Sequence, residues 1–378
     1  MGDAERAGCD SVSCNAEKCM EQLTTGHSRQ PVLRMEIKLT NPVADPDWDR
    51  LVASHPDATF FHSAAWAEVL LQTYSHEPLY LRCLQGDKLV ALFPIMEVRS
   101  LLTGRRGVCL PFTDYCNPLL FDEEASTNTS EALFEVARDR KWKHLEVRGR
   151  TSFDIGTGPA EAFYGHTIDL RGTPSELLAQ CKSSARRALR KANRSGLQVE
   201  VTGSPAAIKE YYRLHAQTRK RHGIPPQPLS FFQNIQEAVI SRGLGFVVLA
   251  RFGGQAVAGA VFFRFGNRAL YKFAASDLKY QNLRPNNLVI WQGARYLVEN
   301  GVEELDLGRT ALNHHGLRQF KLSCGSKEKT IHYFKFETAV GHPVRGHEEP
   351  SAFQRAIFGR LPVALNCLAG SLIYPHLD

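Results

Sequence analysis

The chain has no apolar run of the kind that crosses a bilayer. Residues 1–34 contain no continuous apolar core such as a signal peptide needs. The uncharged stretch from Phe252 to Phe263 is too short and too glycine-rich for a span of about 20 residues. A secreted or membrane-spanning protein is therefore not expected, and a cytoplasmic location is. The nine cysteines form no framework: Cys9, Cys14 and Cys19 stand five residues apart, a step that fits no zinc site. The other six are scattered through strand-like and helix-like segments, where free buried thiols are common. Neither a disulfide scaffold nor a metal site is expected.

What is present reads as an ordinary globular chain. With 378 residues, 43% of them hydrophobic and 22% charged, it is long enough for two domains of about 100–200 residues each. The net charge of +7 suits an anionic partner, such as a phosphate-bearing lipid precursor or a tRNA. DNA is not expected as a partner.

Residues 1–34 are polar and aperiodic, and read as a disordered leader or as a start codon placed too early. From Met35 the pattern becomes regular. Helical spacing covers Asp47 to Ser54 and Ser63 to Tyr74, the latter with Ser63 placed to cap it. Strand-like runs follow at Leu79 to Leu84, Leu89 to Val98 and Gly107 to Pro111. A loop holding Asp114-Tyr115 leads to a helix, Ser130 to Lys141, and a strand, His144 to Val147. The second half repeats the order. Strands are predicted at Phe246 to Arg251, Ala256 to Phe265 and Arg268 to Ala274, then a helix from Asn287 to Glu299 and a strand from Glu304 to Leu307. Aligning Gly86-Asp87 with Gly253-Gly254, and Leu145-Glu146-Val147 with Leu305-Asp306-Leu307, gives nearly one offset, so an internal duplication is expected.

Between the halves, Pro174 to Ser195 reads as one helix. Leu178, Cys181, Ala185, Ala188, Leu189 and Ala192 share a face, while Lys182, Arg186, Arg187, Arg190, Lys191 and Arg194 cover the rest, with no acid from 182 to 194. Like charges four apart repel by a few tenths of a kcal/mol each. Such a helix is either merely solvated or faces an anion. Helices at Pro205 to Arg221 and Leu229 to Arg242 are joined by the rigid loop Gly223-Ile224-Pro225-Pro226-Gln227-Pro228. Beyond Phe336, Gly341 to Pro350 is a polar linker. Phe353 to Tyr374 is an amphipathic segment that packs on its own domain or rests on a membrane surface.

The most informative stretch is Leu305 to Phe336. A short strand stops at Gly308-Arg309, a loop with His314-His315 follows, and a brief helical pattern, Leu317 to Leu322, carries Lys321. From spacing alone, Arg309 and Lys321 are cleft-facing cations or solvated charges beside a turn. Leu-Asp-Leu-Gly-Arg-Thr, then Gly316, Phe320-Lys321 and Gly325, resembles the C-terminal signature of FemAB-like proteins in the GNAT acyltransferase superfamily. There the strand ends in Asp-Phe-Gly-Arg or Asp-Phe-Gly-Gly and is followed by Phe-Lys and a glycine. Leu307 replaces the usual aromatic, and Ser323-Cys324 fills a place more often aromatic. Phe60-Phe61-His62-Ser63 with Trp66, Phe93-Pro94, Pro111-Phe112-Thr113-Asp114-Tyr115 and the run Tyr211 to Gly223 extend the likeness over about residues 36 to 336.

The resemblance implies an α/β fold of two tandem GNAT-like units, mixed central sheets flanked by helices, forming one two-lobed protein. The expected divisions are a leader at 1–34, units at 35–165 and 166–338, and a linker with an amphipathic helix at 339–378. It implies transfer of an acyl or aminoacyl group to an amine of an anionic cell-envelope precursor, UDP- or lipid-linked, with no tightly bound cofactor. Lys321 would be the cation at the reacting carbonyl, and Asp114 would receive the attacking amine. Arg186, Arg187, Lys191, Arg221 and Arg309 would contact phosphate, and Tyr271 would line the cleft. Asp114 capping a turn, Arg309 pairing with Asp306 or Asp277, and Tyr271 packing are the plain alternatives. The donor is aminoacyl-tRNA or acyl-CoA. Residues 279–287 hold no glycine, unlike the turn that cradles the CoA pyrophosphate, which leans towards aminoacyl-tRNA. Peripheral contact with an inner membrane, and a non-catalytic scaffold of the same fold or a small-amine N-acyltransferase, stand beside this reading.

Overall fold

The computed structural model describes residues 35–101, 103–122, 129–149, 158–339, 341–344 and 351–377, so the leader expected at 1–34 lies outside the described residues. Residues 35–378 form one compact unit. It opens with β1 (Met35–Thr40), α1 (Trp48–Ala53) and α2 (Ala64–Tyr74). Then come β2 (Glu77–Pro78), β3 (Tyr80–Gln85), β4 (Lys88–Phe93), β5 (Ile95–Ser100), β6 (Gly104–Cys109), β7 (Leu119–Leu120), α3 (Thr129–Asp139), β8 (His144–Gly149) and β9 (Glu161–Asp169). Next are α4 (Pro174–Gln180), α5 (Ser183–Arg194), β10 (Gln198–Thr202), α6 (Pro205–Arg221), α7 (Leu229–Ile235), β11 (Gly245–Phe252), β12 (Gln255–Phe265) and β13 (Arg268–Ser276). The chain continues through α8 (Pro285–Glu299), β14 (Glu304–Ala311), α9 (His315–Ser323), β15 (Lys327–Glu337) and β16 (His342–Pro343). It closes with α10 (Ala352–Arg360) and α11 (Val363–Ile373).

The fold is α/β with two GNAT-like repeats, and the described strands form two sheets. The larger has twelve strands, in the order β10-β11-β12-β13-β14-β9-β15-β8-β6-β5-β2 with β16 beside β15; the smaller runs β1-β3-β4-β7. The repeats are joined edge to edge. β9 pairs with β14 on one side and β15 on the other, and β15 in turn pairs with β8. The division expected at 165/166 therefore falls inside β9. One core backs both repeats: Phe60 stacks on Phe263 with centroids 4.4 Å apart, and Trp66 meets Phe231 edge-on at 5.9 Å. Each such fully buried aromatic stabilises the fold by about 1.5–3 kcal/mol.

Several elements differ from the sequence reading for identifiable reasons. The run expected from Leu89 to Val98 splits at Pro94, so β4 pairs in the small sheet and β5 in the large one. Proline has no N–H to carry a ladder through. The helix expected over 174–195 breaks at Cys181, whose ψ of 140° is extended. The break is held by tertiary contacts: the Lys182 N–H donates to the Ser323 carbonyl at 2.9 Å, and the Cys181 thiol faces the Cys324 carbonyl. The helix expected over Leu229 to Arg242 is α-helical only to Ile235 and continues as a π turn over Gln236–Ile240. The C-terminal segment is two helices, docked on the 219–227 region. The Arg219 guanidinium donates to the Tyr374 hydroxyl at 2.6 Å, and that hydroxyl donates to the Pro225 carbonyl at 3.1 Å.

Candidate active site

In the second repeat, β13 and β14 run parallel and pair only over Arg268–Glu304, Ala269–Leu305 and Leu270–Asp306. Beyond that point they part. β14 does not stop at Gly308, as the sequence suggested; it passes through a bulge between Asp306 and Arg309 and pairs with β9 as far as Ala311. Gly308 takes φ +73° there. A Cβ on it would lie 2.9 Å from Asp114 Oδ2, so glycine is required on both counts. An Asp306 carboxylate oxygen accepts the Gly308 N–H at 2.6 Å and fixes the bulge.

Asp114 comes from the first repeat. The loop that delivers it holds Leu110 at φ +52° and Phe112 at φ +61°, and on the facing strand Phe273 sits at φ +52°. Non-glycine residues in this region cost about 1–3 kcal/mol each, so the surrounding packing enforces the placement. The Lys272 ammonium, next to Phe273, lies 2.7 Å from Asp114 Oδ2 and above the rings of Phe61 and Phe273. Burial pushes the Asp114 carboxyl up, but the nearby charges of Lys272, Arg309 and Lys321 outweigh it and hold its pKa below the usual range. The group stays ionised.

Lys321 is reached through α9, which His314 caps by accepting the Leu317 N–H at 3.2 Å. Arg318 pins the outer face of α9 to β15 through two bonds to Glu328, at 2.8 and 2.9 Å. This leaves Lys321 turned inward. It does not extend freely, as its sequence context suggested. It is buried, and its ammonium donates to the Gly308 and Arg309 carbonyls, both at 2.9 Å. Burial lowers its pKa to about 8, against the opposing pull of Asp114 and Asp306. The bulge thus presents its carbonyls to a buried cation. Arg309 pairs with neither Asp306 nor Asp277 in the described contacts. Its guanidinium stacks on Phe163 at 4.4 Å and Tyr333 at 5.0 Å. Arg309 Nη1 is a buried atom without a hydrogen-bond partner among the described residues, and the Tyr115 hydroxyl stands beside the buried Asp306 carboxyl. Burial also raises the Asp306 carboxyl above its ordinary pKa.

The structure therefore brings together Asp114, Arg309 and Lys321, from opposite halves of the chain. The other expected residues lie elsewhere. Arg186, Arg187 and Lys191 project from α5, where Ala185, Leu189 and Ala192 face inward. Arg221 ends α6 and donates to the Ser276 carbonyl at 3.0 Å, bracing the end of β13. Tyr271 lies on the face of β13 opposite Lys272 and meets Phe262 edge-on at 5.3 Å, and burial raises its phenol pKa. Lys272 was missed in the sequence. Its one signal was a cation inside the apolar run Arg268 to Ala274.

Comparison with known proteins bears on the fold that carries this cluster. Residues 179–321 match the acetyltransferase (GNAT) domain family. No curated protein matches the chain in sequence. Among solved structures, FemX has a TM-score of 0.62 at 15% identity, covering 79% of this chain and 96% of its own. A tandem GNAT protein from the clavulanic acid biosynthesis pathway scores 0.52 at 12% identity, covering 81% and 99%. L-PGS from Bacillus licheniformis scores 0.51 at 12% identity, covering 85% and 98%. Most of the second repeat is thus similar to the acetyltransferase (GNAT) domain family, and the whole chain shares the fold of tandem GNAT proteins.

Proposed function

We propose that this chain transfers an activated acyl or aminoacyl group to an amine of an anionic cell-envelope precursor, with the reaction at the bulge of β14. The observation that carries the reading is the meeting of Asp114, Lys272, Arg309 and Lys321 where β13 and β14 part. A tetrahedral oxyanion needs a fixed positive group, and an attacking amine needs an acceptor to orient it. This cluster offers both. Lys272 already holds against Asp114 the position an incoming ammonium would take. Lys321 gives two of its three N–H donors to backbone carbonyls and keeps one for the oxyanion.

The amine first loses a proton to solvent, and its lone pair forms the C–N bond to the donor carbonyl carbon. The carbonyl oxygen carries the displaced electron pair beside Lys321. That pair returns as the donor C–O or C–S bond breaks, the new amide nitrogen gives up its remaining extra proton, and the leaving group takes up a proton in exchange. No covalent enzyme intermediate is needed.

The donor is of phosphate-bearing type, aminoacyl-tRNA or acyl-CoA. Six cations on and beside α5, Arg187 and Lys191 among them, make no ion pair among the described residues, which suits a polyanion. In the loop before α8, Arg284 takes φ +64° where a glycine would be expected, which favours aminoacyl-tRNA. The test is a screen of both donors against UDP- and lipid-linked amine acceptors. Saturable donor binding with formation of a new amide is expected. Absence of saturable binding to either donor would point to a scaffold.

A further inference from the structure

Helix α11 is built inside out. Its buried face carries Asn366 and Gly370, with Tyr374 one turn further on. Asn366 donates to the Phe358 carbonyl at 2.8 Å. Gly370 lies so close to the 225–226 backbone that a Cβ would sit 2.0 Å from the Pro226 carbonyl oxygen. The outward face carries Leu365, Leu368 and Leu372, at steps of three and four, exposed by 51, 58 and 66%. On α10, Phe353 is 75% exposed and Ile357, four residues on, is 41% exposed. A soluble surface helix buries its leucines and exposes its polar residues. Here the order is reversed. Seven of the fourteen exposed large apolar side chains among the described residues fall within 351–377.

The same 27 residues contain Arg355, Arg360 and His376, and the neighbouring acids Glu348, Glu349 and Asp378 stand just outside them in sequence. They dock beside the end of α6, where Arg219, Lys220 and Arg221 follow one another. We infer that α10 and α11 form a peripheral docking face for an anionic lipid bilayer, their leucine side entering the headgroup boundary and Lys220 and Arg360 beside it meeting lipid phosphates. No helix of the described chain is long and apolar enough to cross a membrane, so the pair lies in the interface plane. A second copy of the chain fits this surface less well, because a two-fold contact would set the basic flank of one copy against that of the other. The inference does not need the transferase reading.

The test is flotation of the full chain with phosphatidylglycerol/phosphatidylcholine vesicles, beside phosphatidylcholine vesicles alone. Binding to the anionic vesicles, at least tenfold weaker to the neutral ones, is expected. Leu368→Glu with Leu372→Glu should reduce it at least tenfold, while the thermal melt stays unchanged because both side chains are mostly exposed. Lys321→Met should leave vesicle binding intact, so that failure here is separable from failure of the catalytic reading. A wild-type chain that stays unbound in the presence of anionic vesicles overturns the inference. So does a concentration-dependent dimer that the Leu→Glu pair dissociates, since that assigns the face to a second copy.

Discussion

The two repeats share one device and use it differently. In the first, β6 and β8 pair in parallel over Arg106–His144, Gly107–Leu145 and Val108–Glu146; in the second, β13 and β14 do so over three residues ending at Asp306. Each places a buried acid at the last paired position, then the strands part. In the first repeat the gap is filled by the chain itself. The Cys116 N–H donates to the Arg148 carbonyl, and the Arg148 side chain pairs with Glu146 at 2.7 Å and reaches the Leu110 and Thr113 carbonyls. In the second repeat the gap holds Lys321 and leaves a buried Arg309 N–H unmatched among the described residues. The first repeat has become a plug that lends Asp114. The second holds a buried cation there instead.

Breaking the plug should have the largest effect on stability. Arg148→Met removes the guanidinium that pairs with the buried Glu146 carboxylate, which costs about 3–5 kcal/mol. Thermal melts should show it, with much of the loss recovered when Glu146→Leu is added. A near-neutral Arg148→Met would mean that the first repeat is not closed in the way described. Glycine substitutions sharpen the contrast next. Gly308→Ala meets both φ +73° and the Asp114 carboxylate, and should cost about 1–3 kcal/mol together with most of the turnover. Gly86→Ala, in an open hairpin turn of the first repeat, should cost about 1 kcal/mol and leave turnover alone. Equal effects on turnover would remove the distinction between the repeats. The smallest effect belongs to α5. Reversing Arg187 and Lys191 to Glu should weaken binding of a polyanionic donor about tenfold, or about 1.4 kcal/mol. The melting temperature should hold, and added salt should mimic the loss. Donor affinity indifferent to both reversal and salt would make α5 a solvated face.

Local pattern made much of this legible. Helix α6 begins and ends at the residues its periodicity and its Ser204-Pro205 start indicate, and the repeat is visible in the Leu-Glu-Val and Leu-Asp-Leu strands. What escaped was decided by tertiary contact. Gly308 reads as a strand terminator until Asp306 and Lys321 are seen to grip the bulge from either side. The periodicity of 174–195 continues through Cys181, and only the Ser323 carbonyl reveals the break. Lys272 belongs to an apolar strand, and its significance depends on Asp114, 158 residues away in sequence.

The central claim is that the buried cation at the bulge of the second repeat stabilises the reacting oxyanion. It is tested most directly by single-turnover rates of the wild type and Lys321→Met across pH, with donor affinity measured in parallel. A group in this role is worth about 3–4 kcal/mol, so the substitution should slow the step by a factor on the order of a hundred to a thousand with donor affinity kept. Because burial lowers the Lys321 pKa to about 8, the ammonium is intact below that pH and lost above it. The wild-type rate should therefore fall as pH rises through about 8, and the variant should lack that descending limb. A Lys321→Met chain that turns over at the wild-type rate, with the same alkaline limb, would contradict the account.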